Sequence, residues 1–168
     1  RFVGYLPENP YFYDYLNPTE LLQFAGKTSG MLAGDITKKT EELLHIVGLW
    51  SDRKRPIRSY SKGMVQRTGL AIALIHDPRI VILDEPMTGL DPIGRRQVID
   101  LILKLKSEGK TIFFSSHILE DIERVCDRIG ILVNGSLVRT INIASEHLER
   151  PLEDVFIEEV EKAGGVRQ

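Results

Sequence analysis

Apolar positions along the 168 residues fall into two rhythms, one helical and one extended. Val98, Leu101, Ile102 and Leu105 stand at i, i+3, i+4 and i+7, the spacing of one helix face, and Gly109 marks its stop. Residues 79–83 form instead a short continuous run, Ile80-Val81-Ile82-Leu83 after Arg79, of the β-branched kind buried in parallel sheets. Residues 111–115 read as a second such strand. Between and around these runs the pattern predicts helices over 19–25, 37–48 and 61–76. Thr19 and Glu20 open the first. In the second, Thr37 is placed to cap, Leu43, Leu44 and Val47 line one face, and Gly48 closes it. A further helix carries Ile118, Leu119, Ile122, Val125 and Cys126. It is followed by a hairpin, 129–133 and 136–141, turning at Asn134-Gly135. The tail, 152–163, puts Leu152, Val155, Phe156 and Val160 on one face and stops at Gly164-Gly165.

Strand alternating with helix argues for an α/β fold with a mostly parallel sheet flanked by helices. The closing antiparallel strands are expected at its edge, and a largely helical insert precedes Ser61. Composition agrees with a packed domain, at 42% hydrophobic and 27% charged residues. Twenty-two Lys plus Arg against twenty-four Asp plus Glu leave a formal charge of −2, too balanced for a chain whose main work is coating nucleic acid. No apolar stretch approaches the ~18 residues that span a bilayer. The lone Cys126 forbids an internal disulfide framework and points to a reducing compartment. The chain opens on Arg1 and Phe2 without an initiator Met, and it reads as one whose beginning is missing.

Chemistry concentrates at four places. Ile80 to Leu83 deliver Asp84 and Glu85 at the carboxyl end of a strand, where open α/β sheets bind ligands. Successive strand residues point to opposite sides, so the two acids are expected to have different tasks. In phosphoryl transfer one carboxylate holds Mg²⁺, the role suited to Asp84, and a second orients or deprotonates water, the role suited to Glu85. The plain alternative is two solvated acids capping the next turn. Ser61-Lys62-Gly63 at a helix start offers free N–H groups and close backbone approach to an anion, or else Ser61 is a simple N-cap. Gly89-Leu90-Asp91 and Ser115-Ser116-His117 follow in order.

Taken together these motifs resemble the ATP-binding cassette (ABC) ATPases that drive ABC transporters. Ser61-Lys62-Gly63-Met64-Val65-Gln66 is similar to the family's signature loop, Ile80 to Glu85 to its Walker B strand, Gly89-Leu90-Asp91 to its D-loop, and His117 to its switch histidine. Gly4-Tyr5-Leu6-Pro7-Glu8 falls where the Q-loop stands. Leu6-Pro7-Glu8, the Ser-Lys-Gly-Met signature and Leu152-Glu153-Asp154-Val155-Phe156 look like the subgroup of daunorubicin-type resistance exporters.

The resemblance implies a P-loop NTPase-like core carrying an α-helical subdomain, and a truncated amino-terminus. Its divisions are 1–8, the end of a core strand with the Q-loop; 9–76, the helical subdomain with the signature; 77–143, the core with Walker B, D-loop and switch histidine; and 144–168, a helical tail. It implies ATP and Mg²⁺ as cofactors, and hydrolysis coupled to transport, with export as the direction. Two cassettes, alike or different, would pair head to tail and sandwich ATP beside transmembrane permease subunits, on the cytoplasmic face of the cell membrane. Ser61 and Gly63, with Lys62, Met64 and Gln66 in the same loop, would meet nucleotide bound by the partner chain. Glu85 would polarise water and His117 would contact the γ-phosphate. Asp84 would hold Mg²⁺ through water, Glu8 would stand at the metal and water, and Asp91 would couple the two sites. The rival readings are a soluble ABC ATPase without a transport role, and a non-catalytic fragment that lends its signature to a complete cassette.

Three departures matter. No Gly-x-x-x-x-Gly-Lys-Ser/Thr stretch occurs, so the cradle for the β- and γ-phosphates is absent and these residues by themselves are not expected to bind ATP tightly. Truncation accounts for that better than degeneration. Glu8 stands where the family has Gln, though a carboxylate also ligates Mg²⁺. Lys62 and Met64 replace the common Gly and Gln. Elsewhere the plain readings are favoured. Tyr11, Phe12, Tyr13 and Tyr15 are expected to pack within the helical insert, with docking of a transmembrane partner as the alternative. Arg53-Lys54-Arg55 with Arg58 reads as a solvated loop rather than a phosphate or lipid contact. Trp50 is expected to pack at a helix end, Cys126 to lie in the core, and His45, His76 and His147 to be surface or capping residues.

Overall fold

The computed structural model describes residues 2–143 and 150–164, which divide into two compact units between Ser116 and His117. The first unit is built on a three-stranded parallel sheet in the order β1 (Val3–Leu6), β2 (Ile80–Leu83), β3 (Thr111–Phe114). Val3 pairs with Ile80 and Ile80 with Thr111, so the three strands run in step and end together at Leu6, Leu83 and Phe114. Between β1 and β2 come α1 (Pro18–Thr28), α2 (Ala33–Ile46), a short 3-10 turn (Ile57–Ser59) and α3 (Lys62–Leu74). Between β2 and β3 lies α4 (Pro92–Ser107).

Local chemistry explains most of these boundaries. At α1 the Asn17 side chain accepts from Glu20 N–H at 3.0 Å while the Glu20 carboxylate accepts from Asn17 N–H at 2.9 Å, a reciprocal capping box with Pro18 in the first turn. The helix therefore starts earlier than the expected Thr19 and outlasts Ala25. At α2 the expectation fails more clearly. Thr37 is no cap: it lies inside the helix and donates to the Ala33 carbonyl at 3.2 Å, while Leu32 takes the cap position without a side-chain bond. Burial of Ile36, Thr40, Leu43 and Leu44 fixes this helix, and that face begins before Thr37. In α4 the predicted face holds, with Val98, Leu101, Ile102 and Leu105 all buried.

Helix α3 packs on β1 and α4 on β3. Leu6, Val81 and Leu83 are buried, whereas the other face of the sheet leaves Val3, Tyr5, Ile80 and Phe113 exposed. The connecting segment after α2 is held together by Trp50, whose ring stacks on His45 at 4.6 Å and lies 3.9 Å beneath the Arg53 guanidinium. Arg55 pairs with Asp52 at 2.6 Å, so the basic run is a solvated loop tied to its own neighbours. His76 reaches the Val3 carbonyl at 3.1 Å, a tie to β1 rather than a helix cap. The tyrosines correct an expectation. Tyr11 is 93% exposed and Tyr13 and Tyr15 are also exposed, because backbone bonds hold their segment while the rings turn outward. Those bonds run from Leu16 N–H to the Tyr13 carbonyl, from Ile57 N–H to Leu16, and from Arg58 N–H to Asp14.

The second unit contains α5 (Leu119–Val125), the antiparallel pair β4 (Arg128–Val133) and β5 (Ser136–Asn142), and α6 (Leu152–Lys162). Asn134 and Gly135 both have positive φ, 50° and 78°, the geometry of a tight type I′ hairpin turn. Ile129, Ile131, Val133, Ile141, Leu152 and Val155 form its core, with Cys126 and Val160 packed against them. Two expectations are corrected. Among the described residues β4 and β5 pair only with each other, a two-stranded sheet of their own and not the further strands of the parallel sheet that the pattern predicted. Phe156 is 38% exposed, left outside the face that Leu152 and Val155 bury. His147 and Gly165 lie outside the described residues. Among those described, no helix is long and apolar enough to cross a membrane.

Candidate functional site at the carboxyl edge of the parallel sheet

Because the three strands are parallel and in step, their carboxyl ends release Pro7-Glu8, Asp84-Glu85 and Ser115-Ser116 along one edge. The ladder continues for one more bond on each side of β2: Asp84 N–H donates to the Leu6 carbonyl at 2.8 Å, and Ser115 N–H to the Leu83 carbonyl at 3.1 Å. Glu8 is exposed in the bend after β1. Asp84 and Glu85 are half-buried.

The pleat of β2 stops at Leu83, so strand alternation does not set the aim of Glu85 as expected. Its backbone does, with φ at +47°, a left-handed conformation uncommon outside glycine. The Ser115 hydroxyl donates to the Asp84 carboxylate at 2.6 Å and accepts the Glu85 N–H at 2.9 Å. The Glu85 carbonyl accepts from Thr88 N–H at 3.1 Å and from the Gln66 side-chain amide at 3.3 Å. The Thr88 hydroxyl donates to the Glu85 carboxylate at 3.3 Å.

Ser61 is the N-cap of α3, its hydroxyl accepting from Met64 N–H at 3.2 Å, so Lys62 and Gly63 lie in the first turn. Ser61 and Lys62 are exposed, Met64 is half-buried and Gln66 is 2% exposed. Gly63 lies tight against the loop that follows β2: a β-carbon there would stand 3.1 Å from Leu90 Cδ2 and 3.3 Å from the Gly89 carbonyl. The stem of Lys62 covers Gly89 from the same side. Asp91 caps α4, accepting from Gly94 N–H at 2.7 Å. Thus the segments 61–66, 84–91 and 115, far apart in sequence, meet within the first unit. His117 is the first residue of the second unit and is exposed.

The oxygen donors here suit a hard cation. Among the described residues no three His, Cys, Asp or Glu side chains gather to hold a metal by themselves. Mg²⁺ needs no such cage, because it keeps waters and phosphate oxygens and takes one or two carboxylates. Asp84, held in place by Ser115, fits that demand, and the exposed amino end of α3 fits a phosphate. Ser115, Thr88 and the role of Gln66 escape a sequence reading, because each acts through a tertiary hydrogen bond or a turn. The signal available for Ser115 is its place one residue past an apolar strand, level with Asp84.

The sequence pattern of ABC transporters matches residues 2–88, more than half of the chain. This chain belongs to the ABC transporter family. It is 51% identical over 144 residues to an uncharacterized ABC transporter ATP-binding protein of Synechocystis, covering 84% of this chain and 41% of that one. It is 43% identical over 147 residues to the bacitracin transport ATP-binding protein BcrA of Enterococcus faecalis (86% and 46%), and 40% over 138 residues to the lantibiotic transport ATP-binding protein SrtF of Streptococcus pyogenes (82% and 58%). This ABC chain spans about half the length of the curated relatives it matches. A solved ATP-binding subunit of an ABC transporter superposes with a TM-score of 0.84 at 28% identity, over 94% of this chain and 68% of the other.

Proposed function

We propose that this ABC chain supplies the metal, water and signature contacts of an ATPase that powers export across a membrane. The observation that carries the reading is the meeting of Ser61-Gly63, Asp84-Glu85 and Gly89-Asp91 at one end of the parallel sheet. In the proposed cycle two cassettes pair head to tail, and Ser61 and Gly63, with Lys62 and Met64 beside them, meet the γ-phosphate of ATP held mainly by the partner. Asp84 would hold Mg²⁺ through water, and Glu8 would stand at the metal and its water. The cation, when bound, neutralises charge on the β- and γ-phosphates. Glu85 orients a water molecule and takes its proton as the water oxygen bonds the γ-phosphorus. The bridging P–O bond then breaks to give ADP and inorganic phosphate. His117 contacts the γ-phosphate, and Asp91 links the two sites.

Because no Gly-x-x-x-x-Gly-Lys-Ser/Thr occurs in these 168 residues, the lysine contact to the phosphates is not assigned to them. The helical subdomain within 9–76, with its outward tyrosines, is the proposed face for transmembrane permease subunits, which puts the chain at the inner face of the cell membrane. Export is supported by the bacitracin and lantibiotic transport roles named for two relatives. The test is Glu85→Gln in the native ATPase. Hydrolysis is expected to fall about 10²-fold or more with ATP binding kept, the scale of losing a general base. Undiminished turnover overturns the assignment. Isolation from membranes that recovers ribosomes or DNA and no permease overturns the transport part.

A further inference from the structure

Glu85 is held in a backbone state that its sequence does not favour. Its φ of +47° is unusual for a residue with a β-carbon, and Pro86 follows, which steers a preceding residue towards extended backbone. Such a conformation persists where the surroundings over-determine it. Here they do so at both ends of the residue. On the amino side, Ser115 Oγ accepts the Glu85 N–H at 2.9 Å. On the carboxyl side, the Gln66 amide at 3.3 Å and Thr88 N–H at 3.1 Å donate to the Glu85 carbonyl.

The Ser115 hydroxyl has only one proton. Since its oxygen accepts from Glu85, that proton is the one that reaches the Asp84 carboxylate at 2.6 Å. A single hydroxyl one residue past β3 therefore fixes the spacing of the two acids. Gln66 is buried in α3 with its amide committed to Glu85. It ties the backbone of Glu85 to the helix whose first turn carries Ser61 and Gly63.

We infer that Ser115 and Gln66 are positioning residues for hydrolysis: Ser115 sets Glu85 relative to Asp84, and Gln66 sets Glu85 relative to the signature helix. The inference rests on the proposed roles of Asp84 and Glu85. Ser115 touches no substrate, and Gln66, which the resemblance placed with the nucleotide-facing loop, is instead buried with its amide on the Glu85 carbonyl. Each acts by denying Glu85 the extended backbone that would swing its carboxylate away from the water.

The test is steady-state hydrolysis by the native ATPase carrying Ser115→Ala, Ser115→Thr, Gln66→Met or Glu85→Gln, each rate normalised to the ATP-binding fraction. Ser115→Ala is expected to lower kcat about tenfold, the loss of one hydrogen bond to a charged or strained group, with KM for ATP within about twofold. Ser115→Thr restores the hydroxyl, and Ser115 is exposed, so the added methyl has room. It is expected to recover most of the rate. Gln66→Met keeps the bulk without the donor and should lower kcat severalfold at similar KM. A merely structural role would lower the melting temperature and the active fraction, but not the normalised kcat. Wild-type kcat in Ser115→Ala, or a loss that Ser115→Thr does not repair, overturns the role of Ser115. Wild-type kcat in Gln66→Met overturns that of Gln66. If Glu85→Gln is inactive while Ser115→Ala is not impaired, the positioning role alone falls. If Glu85→Gln turns over normally, the assignment of Glu85 itself falls.

Discussion

Gly4 in β1 lies directly against the carbonyl of Ala73 in α3, so closely that a β-carbon at residue 4 would overlap the Ala73 oxygen and also strike the Pro78 ring. The contact is to backbone, which has nowhere to go. Gly4→Ala is therefore expected to destabilise the protein by about 3 kcal/mol, at the upper end of overpacking losses, although alanine is ordinarily the better strand residue. Denaturant unfolding at matched concentration measures it. An unchanged midpoint would mean that β1 and α3 do not pack as described.

Thr40 gives the opposite sign. Thr37 and Thr68 each return their hydroxyl to a carbonyl one turn back, at 3.2 Å and 2.9 Å, but the buried Thr40 hydroxyl finds no partner among the described residues. Replacing it by valine keeps the shape and removes a desolvated polar atom. Thr40→Val should raise stability by about 1 kcal/mol. A lower unfolding midpoint in the variant would refute the placement of that hydroxyl.

Tyr60 offers a pH test. Its hydroxyl donates to the Asp52 carbonyl at 2.9 Å, and burial, reinforced by the negative Asp52, pushes the phenol from 10.0 up to about 12. A phenol with a raised folded pKa keeps its proton longer when folded. Its contribution to stability is therefore whole below pH 10 and is lost as pH rises from 10 towards 12. Unfolding midpoints across that window should fall less steeply in Tyr60→Phe, and a late phenolate transition at 295 nm should vanish from its titration.

Asp91 separates two roles that share one side chain. As the cap of α4 it accepts the Gly94 N–H, a task asparagine performs equally well. Asp91→Ala should cost about 1 kcal/mol of stability and Asp91→Asn almost nothing. If the charge of Asp91 also couples paired cassettes, Asp91→Asn should slow hydrolysis without moving the melting temperature. Equal melting losses in both variants would exclude the cap.

What the sequence made legible was local. The N-cap at Ser61, the single buried face of α4 and the Asn134-Gly135 turn each depend on residues a few positions apart, and each stands where pattern put it. The start of α2 was hidden because Leu32 offers no capping group, so Thr37 drew the boundary inward. Phe156 and the tyrosines were misjudged because apolar character reports an affinity for cover, not whether cover is present. At the site, motif order marked Asp84, Glu85 and Ser61. The hydroxyl that joins the two acids comes from Ser115, thirty-one residues after Asp84, and only the register of β2 with β3 brings it there.

The open sheet face bears on how this polypeptide behaves in the test tube. Among the described residues β1 and β3 are the two outer strands of the three-stranded sheet, and Tyr5 and Phe113, 57% and 67% exposed, stand on its bare face with Ile82 between them. Unprotected edges next to exposed aromatics are the ordinary starting point for strand addition between molecules. Handled as these 168 residues and nothing more, the chain should self-associate as its concentration rises. Its solubility would then be governed by the colloidal chemistry of that face rather than by its nearly balanced charge.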